Sequence, residues 1–314
     1  MLRIVFFGTP HFASQLLETL IASPFEVVAV VSRPDRPRGR SLKMEATPVK
    51  QIALNHSIPI FQPEKASSEE FIATLKELKP DLFVVVAYGE IMRDSLLKAP
   101  RLGCINVHAS LLPRWRGAAP IERAIMAGDE KTGITIMHMV RKLDAGAMIL
   151  KKEVPIPFEA IFSEIEDALC QTAKAALLEA LPLFTQGVPP SEEQDESLVT
   201  YAHKIETPDC QLDFHKSALE LHHLIRALSP KPGAFCTILL NGAPKRLKVF
   251  LARPIDHPSE APGTFFQTTK SNLAITCGQG ALEILEAQLE GKQRLKTSDL
   301  LKGLNVAQLF VANA

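Results

Sequence analysis

Asn106 and His108 stand two positions apart at the end of a short apolar run, Gly103–Val107, which has the length and composition of a buried strand. Side chains two apart in a strand share a face, so both would project from the same side of its carboxyl end. Further along, Asp144 lies in Leu143-Asp144-Ala145-Gly146, a polar turn between two strand-like runs from which a carboxylate can face a neighbouring strand end. A carboxamide N–H can donate to a developing oxyanion. An imidazolium can donate or shuttle a proton, and a carboxylate raises the imidazole's affinity for that proton. This is equipment for acyl transfer without a nucleophile: no G-x-S-x-G elbow occurs, and Ser110 has no base arranged by spacing. Direct attack by an incoming amine suits such a set. Spacing alone leaves open a blander alternative, a structural Asn at a strand end and a surface His.

The elements that must position these residues follow from hydrophobic periodicity. Leu2–Phe7 reads as a buried strand, Gly8-Thr9-Pro10 as a turn, Phe12–Ile21 as an amphipathic helix and Glu26–Ser32 as a second strand. The alternation continues through helices at Pro48–His56 and Ser67–Leu78, a strand at Leu82–Ala87, a short helix near Met92–Leu97 and the strand Gly103–Val107. A helix at Ala118–Met126, strands at Ile134–Met139 and Met148–Val154, and a long helix over Ile161–Phe184 complete the first half. Strands alternating with helices predict an α/β fold, a doubly wound, Rossmann-like parallel sheet that binds ligands at the carboxyl ends of its strands. The first turn carries one glycine where a dinucleotide fingerprint needs three, which argues against a nicotinamide enzyme.

Between Gly187 and Thr207 the chain becomes polar and proline-containing, and residues 188–206 read as a linker joining a domain over 1–187 to one over 207–314. After it come one helix, about Ser217–Leu228, and short strand-like runs at Ala234–Leu240, Leu247–Leu251, Asn272–Thr276 and Ala281–Ala287, separated by turn sequences. That pattern predicts a small β-barrel.

Lys plus Arg equals Asp plus Glu over the 314 residues, so any nucleic-acid contact must come from local basic clusters rather than from net charge. The five cysteines are widely spaced without a C-x-x-C pair, which points away from a zinc knuckle or a disulfide framework. Adjacent His222 and His223 point about 100° apart on a helix and have no ligand-spaced companion, so no metal is expected. The opening apolar run is too short for a signal peptide and no long apolar segment follows, making a soluble cytoplasmic protein the default; a monomer is expected, although the residues do not fix the oligomeric state.

The segment Asn-Val-His-Ala-Ser-Leu-Leu-Pro-Arg-Trp-Arg-Gly-Ala-Ala-Pro-Ile, Asn106 to Ile121, resembles the signature of the 10-formyltetrahydrofolate-dependent formyltransferases. Further matches run essentially end to end: Phe7-Gly8-Thr9-Pro10, Arg33-Pro34-Asp35-Arg36-Pro37 with Gly39-Arg40, Thr47-Pro48-Val49-Lys50, Gly133-Ile134-Thr135-Ile136-Met137 and Leu143-Asp144-Ala145-Gly146. In the second half His203-Lys204-Ile205, Ile225-Arg226-Ala227 and Pro232-Gly233-Ala234 match as well, ahead of what in this family is an OB-like barrel. Where members typically carry a basic or acidic residue just after Lys204-Ile205 and a Trp before the Pro-Gly, this chain has Glu206-Thr207-Pro208-Asp209 and Lys231. The resemblance implies that Asn106, His108 and Asp144 are catalytic and that Ser110, Leu111, Leu112 and Pro113 hold the reduced folate. The Pro-Arg-Trp-Arg-Gly-Ala-Ala-Pro form points to members whose acceptor is methionine carried by initiator tRNA.

A tRNA would need contacts, and Arg36, Arg38, Arg40 and Lys43 lie in a Pro- and Gly-containing loop after the second strand, with Arg40 matching the family's key arginine. Arg114 and Arg116 flank Trp115, which either stacks a base or packs the loop. Lys245, Arg246, Lys248, Lys292, Arg294 and Lys296 near the later turns would give the barrel a basic face. Competing readings are a formyltransferase for a small amine, a related hydrolase releasing formate, and an RNA-binding protein on an inactive scaffold. The arginine-rich loop at Arg33–Lys43, the Arg114-Trp115-Arg116 sequence and the appended barrel favour the tRNA acceptor over the first two, and the Asn, His and Asp disfavour the last.

Overall fold

Ile4, Val5, Phe6 and Phe7 are fully buried, and a β-branched and aromatic run covered on both faces makes a central strand. The computed structural model describes residues 1–38, 43–240, 242–258, 260–303, 306 and 309–311, and their contacts divide the chain into two units. The first comprises Met1–Gly117, Thr132–Pro155 and Glu166–Ala202.

In chain order the elements are β1 (Arg3–Gly8), α1 (His11–Ile21), β2 (Glu26–Val31), β3 (Arg36–Arg38), β4 (Lys43–Glu45), α2 (Pro48–Asn55), β5 (Ile60–Phe61) and α3 (Glu69–Glu77). There follow β6 (Leu82–Val86), α4 (Asp94–Leu97), β7 (Cys104–His108), β8 (Arg116–Gly117), α5 (Pro120–Met126), β9 (Lys131–His138), β10 (Met148–Pro155), α6 (Phe162–Ala180) and β11 (Tyr201–Ala202). Seven strands make the main sheet in the order β10-β9-β7-β6-β1-β2-β5. The pairs from β7 through to β5 are parallel, whereas β9 runs antiparallel to β7.

Helix starts are chemically specified. Thr47 accepts from Lys50 N–H ahead of Pro48, and Ser68 accepts from Phe71 N–H with Glu69 and Glu70 in the first turn. The long helix expected to reach Phe184 stops at Ala180. Pro182 lacks the N–H an α-helix needs, and Leu181–Gln186 continues as a 3-10 helix. The strands β3, β5, β8 and β11 have two or three residues each, too few to show a period, and none was expected from sequence.

The second unit comprises Ala118–Lys131, Ile156–Ile165 and His203–Ala314. Its later elements are α7 (Ala218–Ala227), β12 (Ala234–Leu240), β13 (Ala243–Ile255), β14 (Phe265–Phe266), β15 (Leu273–Thr276), β16 (Ala281–Leu289), β17 (Arg294–Lys296), α8 (Thr297–Leu300) and β18 (Phe310–Val311). The sheet order is β14-β15-β16-β13-β12-β18, with β17 also on β16, and a bridge from Thr264 to Phe310 nearly closes it into a barrel. Register shifts around Leu251 let the 13-residue β13 bend around that wall. Helix α7 begins at a complete Ser217/Glu220 capping box and buries Leu221 and Ile225 in the barrel core with Leu228, Ile238 and Leu282. The α/β sheet followed by a small antiparallel barrel is the fold class the sequence predicts. All five cysteines are buried and unbridged, and burial alone raises the Cys104 thiol, leaving it unreactive.

Candidate active site

Strand β7 emerges between β6 and β9 with Asn106 beside Met137 and His108 beside Thr135. The loop after β9 brings Asp144 to meet them. Asn106 Nδ2 lies 3.5 Å from Asp144 Oδ1, and His108 Nδ1 lies 3.7 Å from Asp144 Oδ2, an ion-pair distance rather than a hydrogen bond. His108 Nε2 faces Trp115 O at 2.8 Å, and because a carbonyl only accepts, the proton on that side belongs to the ring. The His108 and Asp144 side chains are 6% and 12% exposed, so their interaction is shielded from bulk water, while Asn106 is part-exposed.

Asp144 sits at a φ of +46° in the left-handed region, which Asp tolerates better than most residues but still adopts uncommonly. Gly117 N–H donates to Asp144 Oδ2 at 2.8 Å, and that approach requires glycine: φ is +126° at Gly117, and a Cβ there would meet Ala202 O at 2.6 Å.

The loop Ser110–Pro113 is fixed from below by Thr135, whose hydroxyl donates to Ser110 O at 2.7 Å and accepts from Leu112 N–H at 3.1 Å. Ser110 is fully buried with Oγ donating to Arg114 O at 2.6 Å, and Leu112 is buried, so both side chains face inward. Leu111 and Pro113 are part-exposed.

The residues that sequence reasoning missed lie in the segment read as a linker, which is packed into the first unit rather than loose. Glu192 exchanges both backbone hydrogen bonds with Met148. Gln194 is buried and donates from Nε2 to both Asp144 O and Gly146 O at 2.8 Å. Thr200 Oγ1 accepts from Trp115 N–H at 2.9 Å, and β11 pairs with β8. Arg116 needs a correction as a tRNA contact. It is fully buried, donating from Nε to Gln194 Oε1 and pairing with Glu196 Oε1, both at 3.0 Å, so no phosphate can reach it. A buried guanidinium is tolerable only with such partners.

Known proteins share both halves of this arrangement. The formyl transferase family matches residues 2–181, and the formyl transferase C-terminal domain matches residues 204–305. The methionyl-tRNA formyltransferase of Protochlamydia amoebophila (strain UWE25) is 50% identical over 99% of this chain and 98% of its own length. That of Ectopseudomonas mendocina (strain ymp) is 48% identical over 95% of this chain and 94% of its own. The chain belongs to the methionyl-tRNA formyltransferase family. Among solved structures, the sugar 3N-formyl transferase WlaRD, crystallised in the presence of dTDP and 5-N-formyl-THF, superposes with a TM-score of 0.65 at 17% identity, over 93% of this chain and 99% of that one. At that identity the likeness concerns the fold.

In this formyltransferase the arginine-rich loop carries the hairpin β3–β4, pairing Arg36 with Glu45 and Arg38 with Lys43 along the backbone. Arg36 is exposed; Arg40 and the side chains of Arg38 and Lys43 lie outside the described residues. The loop's base is anchored: Arg33 pairs with Glu90 at 3.0 Å, and Asp35 accepts from Lys50 at 2.6 Å and Gln62 at 2.7 Å. Those hydrogen bonds, Lys50's first, hold the Asp35 carboxyl below the usual carboxylate range. Asp35 is therefore neutralised locally instead of opposing the arginines. Arg114 is part-exposed with its guanidinium 4.3 Å above the Trp115 ring, an arrangement compatible with either role for Trp115.

On the barrel, Lys245, Arg246, Lys292 and Lys296 are exposed, whereas Lys248 donates to Pro232 O and Arg294 is held by both Glu286 oxygens. Among the described residues no group of three or more His, Cys, Asp or Glu could hold a metal ion, and no helix is long and apolar enough to cross a membrane.

Proposed function

We propose that this formyltransferase carries the formyl group of 10-formyltetrahydrofolate to the amino group of methionine on initiator tRNA, giving formylmethionyl-tRNA for translation initiation in the cytoplasm. The observation that carries the reading is the convergence of Asn106, His108 and Asp144 at the carboxyl end of β7, with Asn106 and His108 both within 3.7 Å of the same carboxylate. The donor supplies an activated formyl carbon on N10. The loop Ser110–Pro113 is the element to hold it, through its main chain and the part-exposed faces of Leu111 and Pro113, since the side chains of Ser110 and Leu112 are turned inward.

As the amine attacks, negative charge builds on the formyl oxygen. Asn106 Nδ2 donates to it, joined by protonated His108 once its Nε2–H turns from Trp115 O to the formyl oxygen; Asp144, facing Nδ1, orients the imidazole and assists the proton transfers that release the folate nitrogen. Low exposure at His108 and Asp144 strengthens these interactions relative to water. The domain over residues 1–187, with residues 188–202 packed into it, performs this chemistry, and the 207–314 domain contributes tRNA backbone contacts from Lys245, Arg246, Lys292 and Lys296. Arg36, Arg38, Arg40, Lys43 and Arg114 contact the acceptor end, and Arg116 supports the site from inside.

The test is formyl transfer by Asn106→Ala, His108→Ala and Asp144→Ala, each checked for native melting. Losing one oxyanion donor costs roughly 10²–10³ in turnover, so each variant should lose most activity while folding normally. A wild-type rate in any one removes that residue from the mechanism.

A further inference from the structure

We infer that Gln194 is a positioning residue for the transfer reaction, holding Asp144 in its reactive setting from a segment remote in sequence. The inference rests on the proposed role of Asp144. Its support is geometric: Gln194 Nε2 donates at 2.8 Å to the carbonyls of Asp144 and Gly146, so one amide group clamps both sides of the turn that carries the carboxylate. Asp144 there has a φ of +46°, and such a setting persists only where surrounding contacts impose it.

The orientation of the amide is fixed by chemistry. Arg116 Nε, which can only donate, meets Gln194 Oε1 at 3.0 Å, while the two carbonyls on the other side can only accept. One rotamer of a glutamine satisfies all three partners, and no other common side chain of that size does. Arg116 is itself fully buried and paired with Glu196, which Lys142 also reaches at 2.6 Å. The chain of contacts thus runs from the surface pair Lys142–Glu196 through Arg116 and Gln194 to the Asp144 turn, and each link is a charge-assisted or buried hydrogen bond. A residue needed only for packing would not require this donor and acceptor order.

Gln194→Glu keeps the shape but turns an acceptor toward two carbonyls, and Gln194→Leu removes the polar group without adding charge. Both are measured for kcat and KM toward 10-formyltetrahydrofolate and methionyl-tRNA, with thermal melting alongside. A misplacement of about 1 Å costs roughly 10²-fold in rate, so kcat should fall about 10²-fold with both KM values within about twofold. In Gln194→Glu the rate should recover partly as pH is lowered, because a protonated carboxyl can again donate to Asp144 O. Combined with Asp144→Asn, Gln194→Leu should add less than about threefold, since residues that act as a unit are not additive. An equal fold-loss in both backgrounds, or a near-wild-type kcat in the single variants, overturns the positioning role. Full activity in Asp144→Asn alone would instead overturn the catalytic reading on which it rests.

Discussion

Replacing Gly146 by alanine tests the geometry of the Asp144 turn without touching any group that takes part in the chemistry. A Cβ at this position would lie 1.7 Å from His138 O, whereas ordinary contact begins near 3.4 Å, so strand and turn must part by about 1.7 Å. The obstacle is backbone, which cannot swing aside as a side chain can. Gly146 O is one of the two carbonyls Gln194 holds, and Asp144 is two residues away, so the displacement is delivered to the carboxylate. At even 1 Å of that shift the contact at 3.7 Å with His108 and the hydrogen bond from Gly117 are lost, and the rate should fall by roughly 10²-fold, a barrier increase of about 2.7 kcal/mol. Overpacking should also lower stability by about 1–3 kcal/mol. Single-turnover transfer from saturating donor isolates the chemical step, and Gly303→Ala, whose Cβ meets no atom of the described residues within 4 Å, serves as the control. A Gly146→Ala enzyme with a single-turnover rate within about threefold of wild type would refute the claim that the turn's backbone sets the reactive geometry.

In the second unit, His222 is buried and its imidazole is pushed down to about 4, first by burial and then by Arg226 and His223; Glu159, 3.6 Å away and mostly exposed, does not offset this. A neutral buried histidine contributes fully above its unfolded pKa near 6.5 and is lost as pH falls toward about 4, so the wild-type protein should lose about 3 kcal/mol more than His222→Phe across that window. Urea unfolding at a series of pH values reads the difference, and parallel curves would contradict it. For the barrel, Lys296→Ala should flatten the log–log dependence of tRNA affinity on salt by about 0.9 if Lys296 neutralises one phosphate; an unchanged slope places it outside the interface.

The parts of this fold that could be read from residues are those whose signal is local. Buried runs such as those of β1, β6 and β7 announce themselves because both faces are apolar, and capped helices announce their starts through Thr47, Ser68 and Ser217. Asn106 and His108 were legible for the same reason: their spacing on a strand end is a two-residue fact. Asp144 needed only a turn between strands. Gln194 had no such signature, since its partners lie far along the chain and its neighbours are acidic and polar, as in a solvated tether. Arg116, beside Arg114 and Trp115, has the local look of a nucleic-acid contact. Its burial is decided by Gln194 and Glu196, which no reading of residues 114–116 can supply. The barrel's short strands escaped for want of length, and their pairing with long, recognisable neighbours is what makes them strands at all.

The most direct test of the central claim is transfer from 10-formyltetrahydrofolate to methionine-charged initiator tRNA, run beside methionine-charged elongator tRNA and free methionine, with formate release followed in the same reactions. The account predicts product confined to the initiator species and no appreciable formate. Formate release, or formylation of a small amine without transfer to tRNA, would leave Asn106, His108 and Asp144 in place and contradict the assignment of the acceptor.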